Sequence, residues 1–261
     1  MSVKSPARRQ AALEAVLGRY MNECALRGPV HAFDAVGSTM DEAAALARAG
    51  SPEGTLIFAL RQSAGRGRQG RTWASPEGGA YFSIILRPGR PAAEIPQLSL
   101  VAGLSVAEGL RQLTRLYPSI RWPNDVLLNG KKLAGILVEA REGAVIVGVG
   151  VNVAAAPADV ADIATSVADV FQPPLSPQQV AGAIWRRFSV WYDQWTREGF
   201  APIREALRAA MGHFGQPVHI TAGTQRYEGT AQDLDERGRL VVRLDSGLMR
   251  AFDVGEVALL S

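Results

Sequence analysis

Between Arg61 and Arg71 the chain places four arginines, at 61, 66, 68 and 71, and no acidic residue. Gly65, Gly67 and Gly70 separate them, and Trp73 closes the run. Glycines let a backbone come close to a ligand and take up positive φ. Arginines supply permanently charged planar forks that match carboxylate and phosphate oxygens. Two readings fit: a solvated or RNA-binding basic loop, or a loop that wraps a small anion. Basic disordered segments are usually long and repetitive, whereas this one is short and lies between two apolar runs, Thr55–Leu60 and Ala80–Arg87. A loop held at both ends by a sheet is a common ligand site, which favours the anion. The Gly-Lys-Ser/Thr ending of a P-loop is missing, and no helix starts here as a dinucleotide fingerprint requires.

Three further clusters carry chemistry. Arg121-Trp122-Pro123-Asn124-Asp125 is turn chemistry, but it also sets a cation, an amide and a carboxylate within five residues. A nucleotide would use Arg121 on a phosphate and Asp125 on a magnesium ion or an ammonium. Lys131 and Lys132 follow Asn129-Gly130, a hairpin signal. Strand alternation sends the two lysines to opposite faces, so at most one serves a pocket and the other is solvated. Gly135 leaves room for a flat ligand against a sheet. In Gly148-Val149-Gly150-Val151-Asn152 the glycines weaken an apolar strand unless something must approach it. Asn152 reads either as a ligand contact or as the cap of a bulge.

The elements that must position these residues form a mixed pattern. Arg8 to Leu26 is helix-like and is followed by Gly28-Pro29. Thr39 with Glu42 reads as a capping box opening an alanine-rich helix that Gly50 stops. Helical periodicity marks Leu98–Leu116, Pro177–Arg197 and Ala201–Met211. Strands are expected at Thr55–Leu60, Ala80–Arg87, Ser119–Trp122, Val126–Leu128, Leu133–Glu139 and Ala144–Val153. From Gly215 the character changes to short β-like runs at Pro217–Thr221, Gln225–Asp233, Arg239–Leu244 and Leu248–Val254, the pattern of a small β-barrel. The spacing implies a short helical extension over residues 1–29, a main domain over 30–212 that carries the chemical motifs, and a β-domain over 213–261.

Composition bounds the class. At 47% hydrophobic and 20% charged the chain has the make-up of a globular protein. No stretch of about 18 uncharged apolar residues suggests a membrane span, and the N-terminus reads as no signal peptide. Cys24 is the only cysteine, which leaves no intrachain disulfide and no cysteine-based metal site. A cytoplasmic location is the expectation. The net charge of +3 is weak support for a nucleic-acid partner.

In this order and spacing the motifs resemble those of the biotin protein ligases (biotin–[acetyl-CoA-carboxylase] ligases). The matching pieces are Gly37-Ser38-Thr39, Gln62 with Gly65 to Trp73, Arg121 to Asp125, Lys132 to Ile136, and Gly148 to Asn152. The resemblance is detailed over residues 30–155, and the C-terminal β-region is similar to the family's small SH3-like domain. It implies an α+β fold: a mixed central sheet flanked by helices, of the class II aminoacyl-tRNA synthetase and biotin ligase type, followed by an SH3-like β-barrel. It implies a ligase that joins biotin to ATP as biotinyl-5′-AMP, with magnesium, and then passes biotin to a lysine of a biotin carboxyl carrier protein domain.

Carried over by position, Ser38, Thr39 and Gln62 would hold the polar ring end of biotin, with Met40, Gly67 and Gly135 beside it. Arg66 to Arg68 would lie against the adenylate, and Lys132 would touch the reacting carboxyl and α-phosphate. Arg71, Trp73, Arg121, Asn124 and Asn152 would belong to the ATP half, with Arg68 shared. Asp125 is the expected partner of the acceptor amine, and no metal ligand is singled out. Family members often carry Asn where Met40 stands, which removes or replaces one contact. Thirty residues before the body are too short for a helix-turn-helix domain, so the ligase-only type without specific nucleic-acid binding is implied. Family members can pair as homodimers. A lipoate- or octanoyl-type ligase on a related fold and a biotin-sensing regulator are the alternatives.

Overall fold

The computed structural model describes residues 6–253 and 255–259. Residues 1–5 of the expected extension, Val254 of the expected strand Leu248–Val254, and residues 260–261 lie outside the described residues. Seven strands form the main sheet: β1 (Val30–Phe33), β2 (Leu56–Ala59), β3 (Ala80–Leu86), β4 (Ser119–Arg121), β5 (Asp125–Leu128), β6 (Lys131–Arg141) and β7 (Ala144–Val151). Their order is β1-β2-β3-β7-β6-β5-β4. Only β1 and β2 run parallel, so the sheet is mixed, as the sequence predicts. Asn129 and Gly130 both take positive φ, 51° and 78°, and turn β5 into β6.

The central strands β3 and β7 are buried along their whole length, so both faces of the sheet must be covered. Helices α3 (Gln97–Thr114) and α4 (Pro177–Glu198) cover one face. There Phe82, Ile84, Val147 and Val149 pack with Leu104, Trp185 and Phe188 in the larger core. Helix α1 (Pro6–Met21) joins the same core through Leu17 and Met21. It ends earlier than Leu26, whose backbone N–H instead donates to Ser189 Oγ at 2.9 Å.

The other face carries α2 (Thr39–Arg48) over Ile57, Ile85, Ala144 and Ile146. Strand alternation continues that β7 row through Gly148 and Gly150. The side chains shrink to nothing beneath the N-terminus of α2, at Met40, and a cleft opens there. The capping box does not form. Ser38 is the residue before the first turn, and it makes no side-chain cap. Thr39 instead donates from both its N–H and its hydroxyl to Gln62 Oε1, at 2.8 and 3.1 Å. Gly50 follows the helix with φ 88°, as a stop residue should.

Past α5 (Ala201–Ala210) come β8 (Pro217–Ala222), β9 (Gln225–Leu234), β10 (Leu240–Leu244), β11 (Met249–Phe252) and β12 (Glu256–Leu259). They form an antiparallel sheet in the order β11-β10-β9-β8-β12. Among the described residues β11 and β12 do not pair, so the expected barrel is open at that seam. This sheet docks on the main one through Trp122, whose Nε1 donates to Gly238 O at 3.0 Å. Arg204 and Arg208 of α5 add ion pairs to Asp233, at 2.7 and 2.5 Å.

Candidate active site

Residues 65–73 fold as an irregular hairpin lying over the cleft. Trp73 N–H donates to Gly65 O at 2.9 Å, Gly67 N–H to Arg71 O at 2.7 Å, and Arg66 pairs with Thr72. The tip turns at Gln69 and Gly70, both with positive φ (57° and 72°). Gly65 allows a close approach: a Cβ there would lie 2.4 Å from Trp73 O. This flap therefore presents its arginines from a defined backbone.

The cleft beneath encloses about 130 Å³. Ser38, Thr39, Met40, Gln62, Arg66, Gly67, Arg68, Arg71, Trp73, Asn124, Lys132 and Gly135 all line it, as do Thr72, Ile136, Leu137, Gly148, Val149 and Gly150. At one end sits a buried hydrogen-bond chain. Ser83 Oγ donates to Thr39 Oγ1 at 2.8 Å, Thr39 to Gln62, Gln62 Nε2 to Ser75 Oγ at 2.9 Å, and Ser75 to Trp73 O at 3.0 Å. Ser38 Oγ is buried beside this chain and has no hydrogen-bond partner among the described residues. A buried hydroxyl without a partner is costly, so this end suits a ligand with an uncharged polar head. Ser75 and Ser83 are missing from the sequence expectation. Ser83 left a signal, the lone polar residue in Ala-Tyr-Phe-Ser-Ile-Ile-Leu.

The other end is ionic. Arg68 Nη1 donates to Asn124 Oδ1 at 3.0 Å, and Asn124 Nδ2 donates to Ile136 O at 3.0 Å. Burial pulls the Arg68 guanidinium pKa below its ordinary value, against the pull of Asp125. The group stays protonated, but it is a cation held partly out of water. Asp125 sits between two cations. Arg121 donates to Oδ2 at 2.7 Å, and Lys132 Nζ lies 2.7 Å from Oδ1 in an ion pair without hydrogen-bond alignment. Lys132 also lies 5.3 Å from the centre of the Trp73 ring. Lys131 points the other way, to Ala161 O, as alternation requires.

The floor is glycine. A Cβ at Gly150 would meet Trp73 Nε1 at 2.4 Å, one at Gly135 would meet Trp73 Cζ3 at 2.9 Å, and one at Gly148 would meet Met40 Sδ at 2.6 Å. The flat group lying against this floor is the chain's own Trp73 indole. Its Nε1 is buried and has no hydrogen-bond partner among the described residues.

Three of the predicted residues are not among those lining the cleft: Arg121, Asp125 and Asn152. Arg121 and Asp125 stand behind Lys132 and hold it. Asn152 is buried, donates from Nδ2 to Thr165 O at 3.0 Å and receives Val167 N–H, so it organises the 164–170 segment. Arg66 lines the cleft, but its guanidinium reaches Asp41 and Glu139. Among the described residues no group of three or more His, Cys, Asp or Glu side chains is placed to hold a metal, and no helix is long and apolar enough to cross a membrane.

Comparison with known proteins places this arrangement. Residues 33–154 match the biotin/lipoate A/B protein ligase family, and residues 213–260 match the biotin protein ligase C terminal domain. The bifunctional ligase/repressor BirA of Bacillus subtilis is 35% identical over 229 residues, covering 84% of this chain and 70% of that protein. The biotin–[acetyl-CoA-carboxylase] ligase of Paracoccus denitrificans is 38% identical over 208 residues, covering 73% of this chain and 85% of that one. The biotin protein ligase of Aquifex aeolicus, solved in complex with biotin and ATP, superposes with a TM-score of 0.80 at 31% identity, covering 88% of this chain and 98% of that one. With the cleft, the flap and the C-terminal sheet in place, the chain belongs to the biotin protein ligase family.

Proposed function

We infer that this protein is an ATP-dependent ligase that activates biotin as biotinyl-5′-AMP and transfers it to a lysine of a biotin carboxyl carrier protein domain. One observation carries the reading. A single glycine-floored cleft has an uncharged polar end at Ser38, Thr39 and Gln62, and a cationic end at Arg68 and Lys132. A ligand with a polar ring and an anionic tail fits that polarity in one orientation only. Its carboxylate is then delivered to the cations.

In the first step the carboxylate oxygen attacks the α-phosphorus of ATP and pyrophosphate leaves. Two anions must approach, and Arg68 and Lys132 offset that repulsion and the charge that develops. The substrate is the nucleophile, so the chain needs none of its own. In the second step a neutral lysine amine of the carrier attacks the acyl carbonyl, AMP leaves and an amide forms. Asp125 acts here by holding Lys132, because both its oxygens already face cations. Asn124, Arg71 and Trp73 are assigned to the nucleotide side. Magnesium would travel with the nucleotide, carried mostly by phosphate oxygens, since the nearby carboxylates of Asp41, Asp125, Glu139 and Glu256 are each paired with cations. The mixed anhydride is prone to hydrolysis, and the flap over the cleft keeps water from it.

The test is incubation with ATP, magnesium, biotin and a biotin carrier domain, with the product followed by mass. A biotin-sized mass gain on the carrier is expected. Absence of transfer, or preferential use of lipoate in competition, refutes the assignment.

A further inference from the structure

Arg66 of the flap lines the cleft but spends its charge outside it. Its Nη2 lies 3.0 Å from Asp41 Oδ1 and 3.4 Å from Glu139 Oε2. Asp41 belongs to the first turn of α2, two residues after Thr39. Glu139 lies on β6, on the same face as Gly135 and Leu137. Arg141 closes the group, 2.9 Å from Asp41 Oδ1 and 3.7 Å from Glu139 Oε2. Two arginines and two carboxylates thus link the flap to the helix that carries Ser38 to Met40 and to the strand that carries Lys132 and Gly135. Because Arg66 pairs with Thr72 across the hairpin, fixing Arg66 also fixes the strand leading into Trp73.

We propose that Asp41, backed by Glu139 and Arg141, is a positioning residue that straps the flap down over the biotin end of the cleft and sets how fast biotin leaves. The proposal rests on the biotin reading above. The sign of the effect separates it from general electrostatics. Biotin's tail is anionic, so removing a nearby negative charge would by itself tighten binding. Loosening a strap weakens binding instead. The ion pairs are part-exposed, so each is worth little alone, up to about five-fold, and salt weakens them.

The experiment measures biotin dissociation from the full chain by displacement of labelled biotin, at low and high salt. The wild type is measured first, and melting temperature is recorded for every variant. Asp41→Asn is expected to release biotin about five-fold faster and to raise the KM for biotin but not for ATP. Its dissociation should respond less to salt than that of the wild type. Asp41→Glu should restore slow release. Glu139→Gln should act in the same direction from a different element, so a defect in α2 alone cannot account for both. Unchanged or slower release in Asp41→Asn and Glu139→Gln, with the wild type binding biotin, overturns the strap alone. A wild type that binds no biotin overturns the functional reading and the strap with it.

Discussion

Replacing Lys132 with alanine should separate its catalytic contribution from its structural one. The side chain is 31% exposed and, among the described residues, its ion pair is with Asp125, which also holds Arg121 at 2.7 Å. Its backbone bonds, from N–H to Ile163 O at 2.8 Å and from Thr165 N–H at 3.0 Å, do not depend on the side chain. The pair is part-buried, and Asp125 Oδ1 loses its cation while Oδ2 keeps Arg121, so the fold should lose about 1–2 kcal/mol. Catalysis should lose far more. A preorganised charge at a developing anion is worth roughly 10²- to 10³-fold, about 2.7 to 4 kcal/mol. The assay is biotin-dependent pyrophosphate release, beside a thermal melt. Adenylate formation should fall by at least about 10²-fold with the melt only modestly lowered. Lys132→Arg should fall between, because the charge remains but the fork geometry differs. Near-normal pyrophosphate release from Lys132→Ala would refute the idea that this cation stabilises the reacting centre. A collapse of the melt would instead make it a structural residue.

Three other perturbations follow from the same geometry. Arg71 lies 2.6 Å from Glu256, which ties the flap to the C-terminal sheet; Glu256→Gln should raise the KM for ATP by about two- to five-fold and leave that for biotin alone, and an unchanged KM for ATP would count against the tether. Gly150→Ala places a methyl 2.4 Å from Trp73 Nε1 and must displace the indole; a cost of about 1–3 kcal/mol in urea unfolding is expected, with a changed near-ultraviolet dichroism, and neither change would mean that the indole does not rest on that floor. His213 is buried beside Phe214 and near Arg121, and burial pushes its pKa from 6.5 down to about 4. The unfolded chain then binds the proton more readily, so this contribution to stability is present above pH 6.5 and is lost as pH falls toward 4. Roughly 2 kcal/mol should be gone by about pH 5, and His213→Leu should flatten that slope, whereas parallel pH curves for the two proteins would refute it.

What the sequence revealed and what it hid divide along the length scale of the interactions. The Asn129-Gly130 turn and the long helices are local events, and they stand where periodicity puts them. Strand β1 went unread because four residues, Val30 to Phe33, hold no alternation and make sense only through parallel pairing with β2. Strand β12 lies beyond the last expected run, Leu248–Val254, and has no local signal, since its partner β8 lies far back in the chain. Thr39 misled for a similar reason. A threonine three residues before a glutamate looks like a cap, but Gln62 and Ser83, brought in by the sheet, offer it better partners. The cleft lining was more legible than the cleft's supports. The resemblance to the biotin protein ligases, carried by the motifs, brings Ser38, Gln62, Arg68, Lys132 and Gly135 together. No local signal distinguishes Asn152, which braces a loop, from a residue that faces a ligand.

The cations of the cleft are not equivalent, and their partners rank them. Arg66 faces two carboxylates, Arg71 one and Lys132 one. Arg68 alone is bonded to a neutral amide, and it is also the one whose pKa burial pulls down. A half-buried guanidinium whose hydrogen-bond partner is neutral is less compensated than one in an ion pair, and an incoming anion offers it more than Asn124 does. Carboxylate or phosphate should therefore settle on Arg68 first, without breaking an ion pair. The other three gain only by exchanging one anion for another. The run of alternating glycine and arginine thus has one residue poised for the ligand and two that hold the flap in place.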